Sequence, residues 1–320
     1  MSISKYCIAL SGLLLASAAF AQTKWDMPTP YSDGMFHTKG IRLFTEEIAK
    51  NSKLQITVHS GASLIKHPEI KRAVQTGQVP IGEFILSILA NESALFAFDS
   101  TPFLANGYDK EMKLWKIAKP FIEKRLDAQG IKLLYSVPWP PQGIWTKKDI
   151  QSIADFKGMK FRTYSPSTSR LAELTGAVPT TVQMGEVAQA FRTGVADVMI
   201  TSSSGGVDAQ AWDYLTNFYD VEAFLPQNVV VVNKAAFAKL DSKTQQTVLK
   251  AAANAEKWGW EASRQDNERA LKLLAEKGMK VAKPNAKLSA EFAAVGKTIA
   301  AEWAKKAGPD GEAILKAYNK

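Results

Sequence analysis

The chain has almost no cysteine: one in 320 residues, Cys7, inside an apolar N-terminal stretch. Cys7 lies too early to be the lipid-bearing cysteine of a lipoprotein, which directly follows a cleavage site. A chain processed beyond it has no disulfide and no thiol chemistry, so its stability rests on core burial, which about 300 residues allow. Histidine is equally scarce. His37, His59 and His67 lack metal-ligand spacing, and no H-E-x-x-H occurs. There is no G-x-S-x-G elbow, no Walker loop and no G-x-G-x-x-G, which argues against an enzyme and against a cofactor or metal. Nor is there a dense basic run or a nucleic-acid motif. The formal charge of +9 is spread over lysines set beside acids, as in Lys110-Glu111 and Glu123-Lys124-Arg125, and is first of all a solubilising surface.

What is present begins with an export signal. Lys5 precedes an apolar run from Ile8 to Phe20, and Ala19-Phe20-Ala21 offers the small-x-small pattern of a cleavage site. The run is shorter than the ~20 residues of a spanning helix. Cleavage after Ala21 is expected, making residues 1–21 a signal peptide and the destination periplasmic.

Beyond it, strand and helix patterns alternate. Lys24 to Met27 reads as a strand. A helix follows from about Met35 to Asn51, with His37, Ile41, Phe44 and Ile48 on one face. Leu54, Ile56 and Val58 alternate as a strand, a helix near Pro68 stops at Gly77, and Val79 to Phe84 is a third strand. Tyr108 to Ala128 is helical with a kink at Pro120, and Ile131 to Val137 closes the first α/β unit. A second unit starts past Pro138-Trp139-Pro140-Pro141. It holds a capping box at Ser152 and Asp155, strands at 159–163 and 196–201, and helices ending at Gly176 and Gly194. The junctions Gln75-Thr76-Gly77 and Arg192-Thr193-Gly194 echo one another, as two lobes of similar build would. Asn228 to Asn233 is apolar enough to be a buried central strand. This alternation predicts parallel-rich sheets covered on both faces. A capping-box pattern at Ser242 and Gln245 opens a helix to about Lys277, on the order of 50 Å long and able to brace two lobes. A short strand at 279–282 and two terminal helices complete the chain.

Arg162 is the sharpest candidate residue. It ends a strand and precedes Thr163-Tyr164-Ser165-Pro166-Ser167-Thr168-Ser169, a hydroxyl-rich entry into a helix. A guanidinium placed there can hold a carboxylate through two parallel hydrogen bonds; its alternative role is an ordinary solvated arginine. Ser202-Ser203-Ser204-Gly205-Gly206 lies between a strand and a helix. As a nucleophile site it lacks a base, whereas as a binding loop it suits a polar ligand at the C-terminal edge of a sheet.

The stretch Ser152-Ile153-Ala154-Asp155-Phe156-Lys157-Gly158-Met159-Lys160-Phe161-Arg162 resembles the D-x-K-G-x-K-x-R signature of TRAP (tripartite ATP-independent periplasmic) solute-binding proteins. Gly176-Ala177-Val178-Pro179 follows at the family's spacing. Residues Gly185 to Asp197 are similar to its S-E-V-Y-x-A-L-Q-x-G-x-V-D. The resemblance covers nearly the whole mature chain. It implies a two-lobed α/β periplasmic binding fold, each lobe a mixed sheet flanked by helices, with lobe I at 22–139 plus 227–267 and lobe II at 140–226 plus 268–320. It further implies capture of a small organic acid anion by hinge closure and delivery to membrane permease subunits. Arg162 takes the place of the family's carboxylate-binding arginine. Two departures stand out: Gln142 where some members carry a second arginine, and Asp197-Val198-Met199-Ile200-Thr201-Ser202 where many have D-G-Q-E-N-P.

The cleft is therefore expected to be less cationic than in receptors for C4-dicarboxylates or sialic acid. Trp25, Tyr31, Phe84, Trp139, Trp145, Tyr164 and Trp212 sit at strand ends or junctions; each has packing as its alternative role. With Glu83, Gln142, Thr201 and Ser202 they complete the candidate site around Arg162. The expected ligand is a monocarboxylate with an aromatic or branched body, such as a mandelate-like, aryl-2-oxo or hydroxycinnamate-like acid. C4-dicarboxylate, 2-oxo acid and sugar-acid receptors, a sensing module and a secreted hydrolase are the alternatives. A monomer is expected, with dimerisation through the long helix left open.

Overall fold

The structure, a computed structural model, describes residues 22–320; the expected signal peptide lies outside the described residues. Strand β1 (Thr23–Pro28) sends Trp25 and Met27 inward, and α1 (Phe36–Asn51) buries Ile41, Phe44 and Ile48 along one stripe. The chain then returns as β2 (Leu54–His59), parallel to β1 with Trp25 opposite Ile56. A short helix, α2 (Ile70–Thr76), ends where Gly77 adopts φ 76°, a left-handed conformation that costs glycine little. Strand β3 (Ile81–Ile85), two 3-10 segments (Leu86–Leu89 and Ala94–Ser100), α3 (Tyr108–Asp127, running through Pro120) and β4 (Ile131–Pro138) follow.

The second unit contributes β5 (Gln142–Thr146), β6 (Lys160–Thr163), α4 (Pro166–Leu174), β7 (Val178–Thr181), α5 (Val187–Arg192), β8 (Val198–Ser202), α6 (Ser203–Asp208) and β9 (Asn217–Tyr219). The chain then re-enters the first unit as β10 (Gln227–Asn233) and continues into α7 (Lys234–Ala238) and α8 (Ser242–Glu276). It returns as β11 (Lys280–Ala282) and ends in α9 (Ala286–Tyr318). The first unit carries a three-stranded sheet, β3-β10-β4, beside the β1–β2 pair; the second carries six strands in the order β11-β9-β5-β8-β6-β7.

The sheets correct the parallel-rich expectation. β10 is antiparallel to both neighbours, and β5 is antiparallel to β8 and β9. A β-α-β reading assumes that each strand pairs with the one before it. β10 instead arrives after the whole second unit and inserts between two older strands from the opposite direction. Its run Val229 to Val232 is buried throughout, as a strand covered on both faces must be. Strands β5, β7 and β9 are short, and β7 alternates little in burial, so periodicity does not mark them.

Three connections join the units. Residues 139–141 and 220–226 run side by side, with Trp139 N–H donating to the Pro226 carbonyl (2.8 Å) and Gln142 N–H to that of Phe224 (2.9 Å). The third is α8, 35 residues long, which packs on α1 and β4 of the first unit and on α6 and β11 of the second. Its N-cap is Asp241 rather than Ser242: the carboxylate accepts from Thr244 N–H at 2.9 Å, and its charge suits the positive helix end. Helix α9 breaks at Gly308 (φ 62°) ahead of Pro309, giving the two terminal helical pieces; it touches α3 on one unit and α4 on the other.

Candidate ligand-binding site

Arg162 ends β6, opposite Thr180 of β7 and Met199 of β8. This position brings its side chain to the C-terminal edge of the parallel strands, facing the first unit. It is only 1% exposed. Its Nε donates to the Val182 carbonyl at 2.8 Å, and its guanidinium carbon lies 5.2 Å from the centre of the Tyr164 ring. Nη1 is buried without a hydrogen-bond partner, and no ion pair among the described residues contains this arginine. Burial lowers its pKa to about 10, which leaves it charged at neutral pH. A buried cation with an unused donor is costly unless an anion meets it.

A small cavity of about 30 Å³ adjoins the guanidinium. The first unit supplies Tyr31, His67, Ile85 and Trp139 to its wall. The second supplies Gln142, Arg162, Tyr164, Gln183, Met184 and Thr201, and Pro226 comes from the crossing segment. Both units thus close over Arg162. Outside the cavity, Ser32 Oγ donates to Asp208 Oδ1 at 2.6 Å, linking the first unit to α6 of the second.

The polar groups of this wall are held in place from behind. Tyr164 Oη donates to Gln142 Oε1 (3.2 Å), and Gln142 Nε2 donates to the Pro140 carbonyl (3.1 Å). Across the cavity, Tyr31 Oη and Trp139 Nε1 both donate to Asn228 Oδ1, at 3.1 and 2.9 Å. Asn228 Nδ2 donates in turn to Glu83 Oε1 (2.8 Å), whose other oxygen accepts from Thr29 Oγ1 (2.6 Å). His67 Nε2 accepts from the Ile85 N–H at 3.3 Å. Burial drives the His67 pKa down to about 4, against the nearby Glu83 carboxylate and a hydrogen bond with Gln183 that act to raise it. The imidazole is neutral, and with Nε2 accepting, its proton sits on Nδ1.

Of the twelve residues singled out from the sequence, six line this space: Tyr31, Trp139, Gln142, Arg162, Tyr164 and Thr201. The other six do not. Trp145 lies behind Thr201, donating its indole N–H to the Thr201 carbonyl (3.0 Å) and packing on Phe218. It fills the space over Gly206 so closely that a Cβ there would fall 2.0 Å from the ring. Ser202 caps α6, its Oγ accepting from Gly205 N–H at 3.0 Å. Glu83 anchors Asn228 from behind the wall. Phe84 follows it on the opposite sheet face, in the first unit's core, because strand side chains alternate. Trp25 is in a hydrophobic core, and Trp212 is half-buried at the surface with Lys277 Nζ 5.5 Å above its ring.

Sequence reasoning missed His67, Ile85, Gln183, Met184 and Pro226. Gln183 and Met184 lie just past β7, after Val182, so they share the sheet edge with Arg162. Recognising β7 would have found them, since ligands of open α/β sheets gather at that edge.

Two α/β units, two crossing segments and a bracing helix around a closed cleft define a two-lobed solute-binding protein. The comparisons specify it. The profile of the bacterial extracellular solute-binding proteins, family 7, matches residues 31–306. An extracytoplasmic solute receptor of Bordetella pertussis that binds pyroglutamic acid superposes with a TM-score of 0.92 at 48% identity, over 93% of this chain and 99% of that one. A marine-metagenome TRAP solute-binding protein specific for pyroglutamate superposes with a TM-score of 0.91 at 38% identity, over 93% and 99%. A solute-binding protein of Albidiferax ferrireducens is 25% identical over 279 residues, 83% of this chain and 82% of that protein. The chain belongs to family 7 of the bacterial extracellular solute-binding proteins and is a TRAP-type extracytoplasmic solute receptor, not an enzyme. No helix among the described residues is long and apolar enough to cross a membrane.

Proposed function

We propose that this receptor captures a compact cyclic monocarboxylate, with pyroglutamate as the leading ligand, and carries it through the periplasm to a TRAP permease. The observation that carries the reading is the buried, unpaired Nη1 of Arg162 at the wall of a closed cavity. The ligand carboxylate completes this guanidinium through charge-assisted hydrogen bonds, each contributing about 1.5–3 kcal/mol when shielded from water. Tyr31, Trp139 and Tyr164 face a flat ring, while Gln142, Gln183 and Thr201 offer neutral hydrogen-bonding groups for a ring amide. Two related receptors, at 48% and 38% identity, bind pyroglutamate, which supports the same ligand here.

This reading keeps the single carboxylate expected from Gln142 and the Thr201 loop, and replaces the aromatic body with a smaller polar ring. A cavity this small, lined by three aromatic side chains, suits a five-membered lactam better than an extended hydroxycinnamate. Opening at the 139–141 and 220–226 crossings would expose Arg162, and ligand bridging both units would shift the population towards the closed form. Native mass spectrometry of the protein with its co-purified ligand tests the assignment. A bound mass of pyroglutamate is expected; a dicarboxylate or a sugar acid would overturn it.

A further inference from the structure

We propose that the cavity selects anions that carry no ammonium group, accepting lactam, hydroxy or oxo carboxylates and rejecting zwitterionic amino acids of the same size. This rests on the reading of Arg162 as the carboxylate anchor and extends it to the rest of the ligand. Arg162 is the one fixed charge among the residues that line the space, and none of them is acidic. The carboxylate behind the first-unit wall, Glu83, is already engaged. One oxygen accepts from Asn228 and lies 3.4 Å from His37 Nδ1, and the other accepts from Thr29. Tyr31 and Trp139 stand in front of it, their polar tips both bonded to Asn228 Oδ1.

His67 adds no acceptor for a cation either. Its Nε2 is occupied by the Ile85 N–H, and its remaining nitrogen carries a proton. An α-ammonium group is one carbon from the carboxylate it accompanies. With that carboxylate on Arg162, the ammonium would be buried near a guanidinium with no carboxylate to meet it. Ammonium groups are strongly hydrated, and a buried unpaired one is heavily penalised. A lactam N–H has the same place in the ring without the charge, and needs only a neutral acceptor such as the Thr201 hydroxyl or a glutamine amide.

Calorimetry on ligand-stripped protein tests the proposal with two pairs, pyroglutamate against glutamate, which adds a second carboxylate as well as the ammonium, and a pair matched except at the ring nitrogen. Pyroglutamate should bind about 100-fold or more tighter than glutamate, the scale expected when a charge is buried unpaired. Cyclopentanecarboxylate, which differs from proline by CH2 in place of the ring ammonium, should bind about 10-fold or more tighter than proline. Gln183→Glu should narrow the second gap by giving the ammonium a partner. Proline binding as tightly as cyclopentanecarboxylate overturns the proposal, as does a Gln183→Glu protein in which proline gains nothing relative to cyclopentanecarboxylate. Weak binding of pyroglutamate, with cyclopentanecarboxylate still ahead of proline, would sink the pyroglutamate assignment and support the selectivity.

Discussion

Replacing Asp99 by asparagine should favour the folded protein at pH 8 by about 2–3 kcal/mol more than it does at pH 5. Asp99 is 2% exposed and sits at the root of a crossing segment, with its Oδ2 accepting from the Gln227 N–H (2.7 Å) and its Oδ1 from Ser100 Oγ (2.8 Å). Burial raises its pKa from the ordinary 3.8 to about 7, outweighing those two hydrogen bonds. Glu111, fully buried beside it and holding the Gln227 side chain at 3.0 Å, is raised as well, first by burial and then by Asp99. Between pH 4 and 7 the unfolded chain releases the Asp99 proton while the folded chain keeps it. Stability therefore falls as pH rises through this window, by up to about 4 kcal/mol for a shift of about three units. An asparagine keeps the acceptor for Gln227 N–H and removes the titration.

His67 works in the other sense. Its pKa is lowered to about 4, so the unfolded chain gains a proton below about 6.5 that the folded chain does not, and acidification costs stability. In the unaltered protein the two effects oppose each other between about pH 4 and 6.5. Urea unfolding of both proteins at pH 5, 6, 7 and 8 isolates the aspartate. The stability of Asp99→Asn relative to the parent should climb with pH and level off above about 7. A constant difference at every pH would refute the reasoning.

Arg162→Ala should abolish detectable ligand binding while leaving the fold intact. Arg162→Lys should lose about 100-fold or more, because a point-charge ammonium cannot reproduce the paired geometry; isothermal calorimetry reads both. With Arg162 charged up to about pH 10 and His67 neutral down to about 4, affinity for a carboxylate should be level from pH 5 to 9. A titration of affinity near pH 6.5 would contradict the buried, neutral His67. Gly206→Ala should destabilise by about 1–3 kcal/mol, because its Cβ would fall 2.0 Å from Trp145 and force the indole off its contact with Phe218. Thermal unfolding would show it, and an unchanged midpoint would mean that the indole moves freely.

The long elements were legible in the sequence because their signals are local. The α1 stripe, the glycine stop at Gly77, the apolar β10 and the length of α8 each follow from periodicity or a cap within a few residues. The pairing of β10 between β3 and β4 was not, since its partners lie about 90 to 150 residues upstream and no local pattern encodes the direction of its return. The site divides in the same way. Arg162 and Tyr164 belong to one quoted segment, Trp139 and Thr201 sit at recognisable strand ends, Tyr31 follows the first strand, and Gln142 stands out as a departure from the family's pattern. His67 and Ile85 face the cavity from a 3-10 turn and a strand end of the first unit, and Pro226 comes from an irregular crossing segment. Trp145 and Phe84 illustrate the converse: an aromatic side chain at a strand end is placed by which sheet face it occupies, and both face cores.

The central claim, that Arg162 anchors the carboxylate of a small cyclic acid, is tested most directly by calorimetric titration of pyroglutamate into ligand-stripped protein and into its Arg162→Ala variant. The account predicts one ligand bound per unaltered chain and no measurable heat of binding for the variant, with both proteins equally folded. Equal affinity in the two proteins would contradict it.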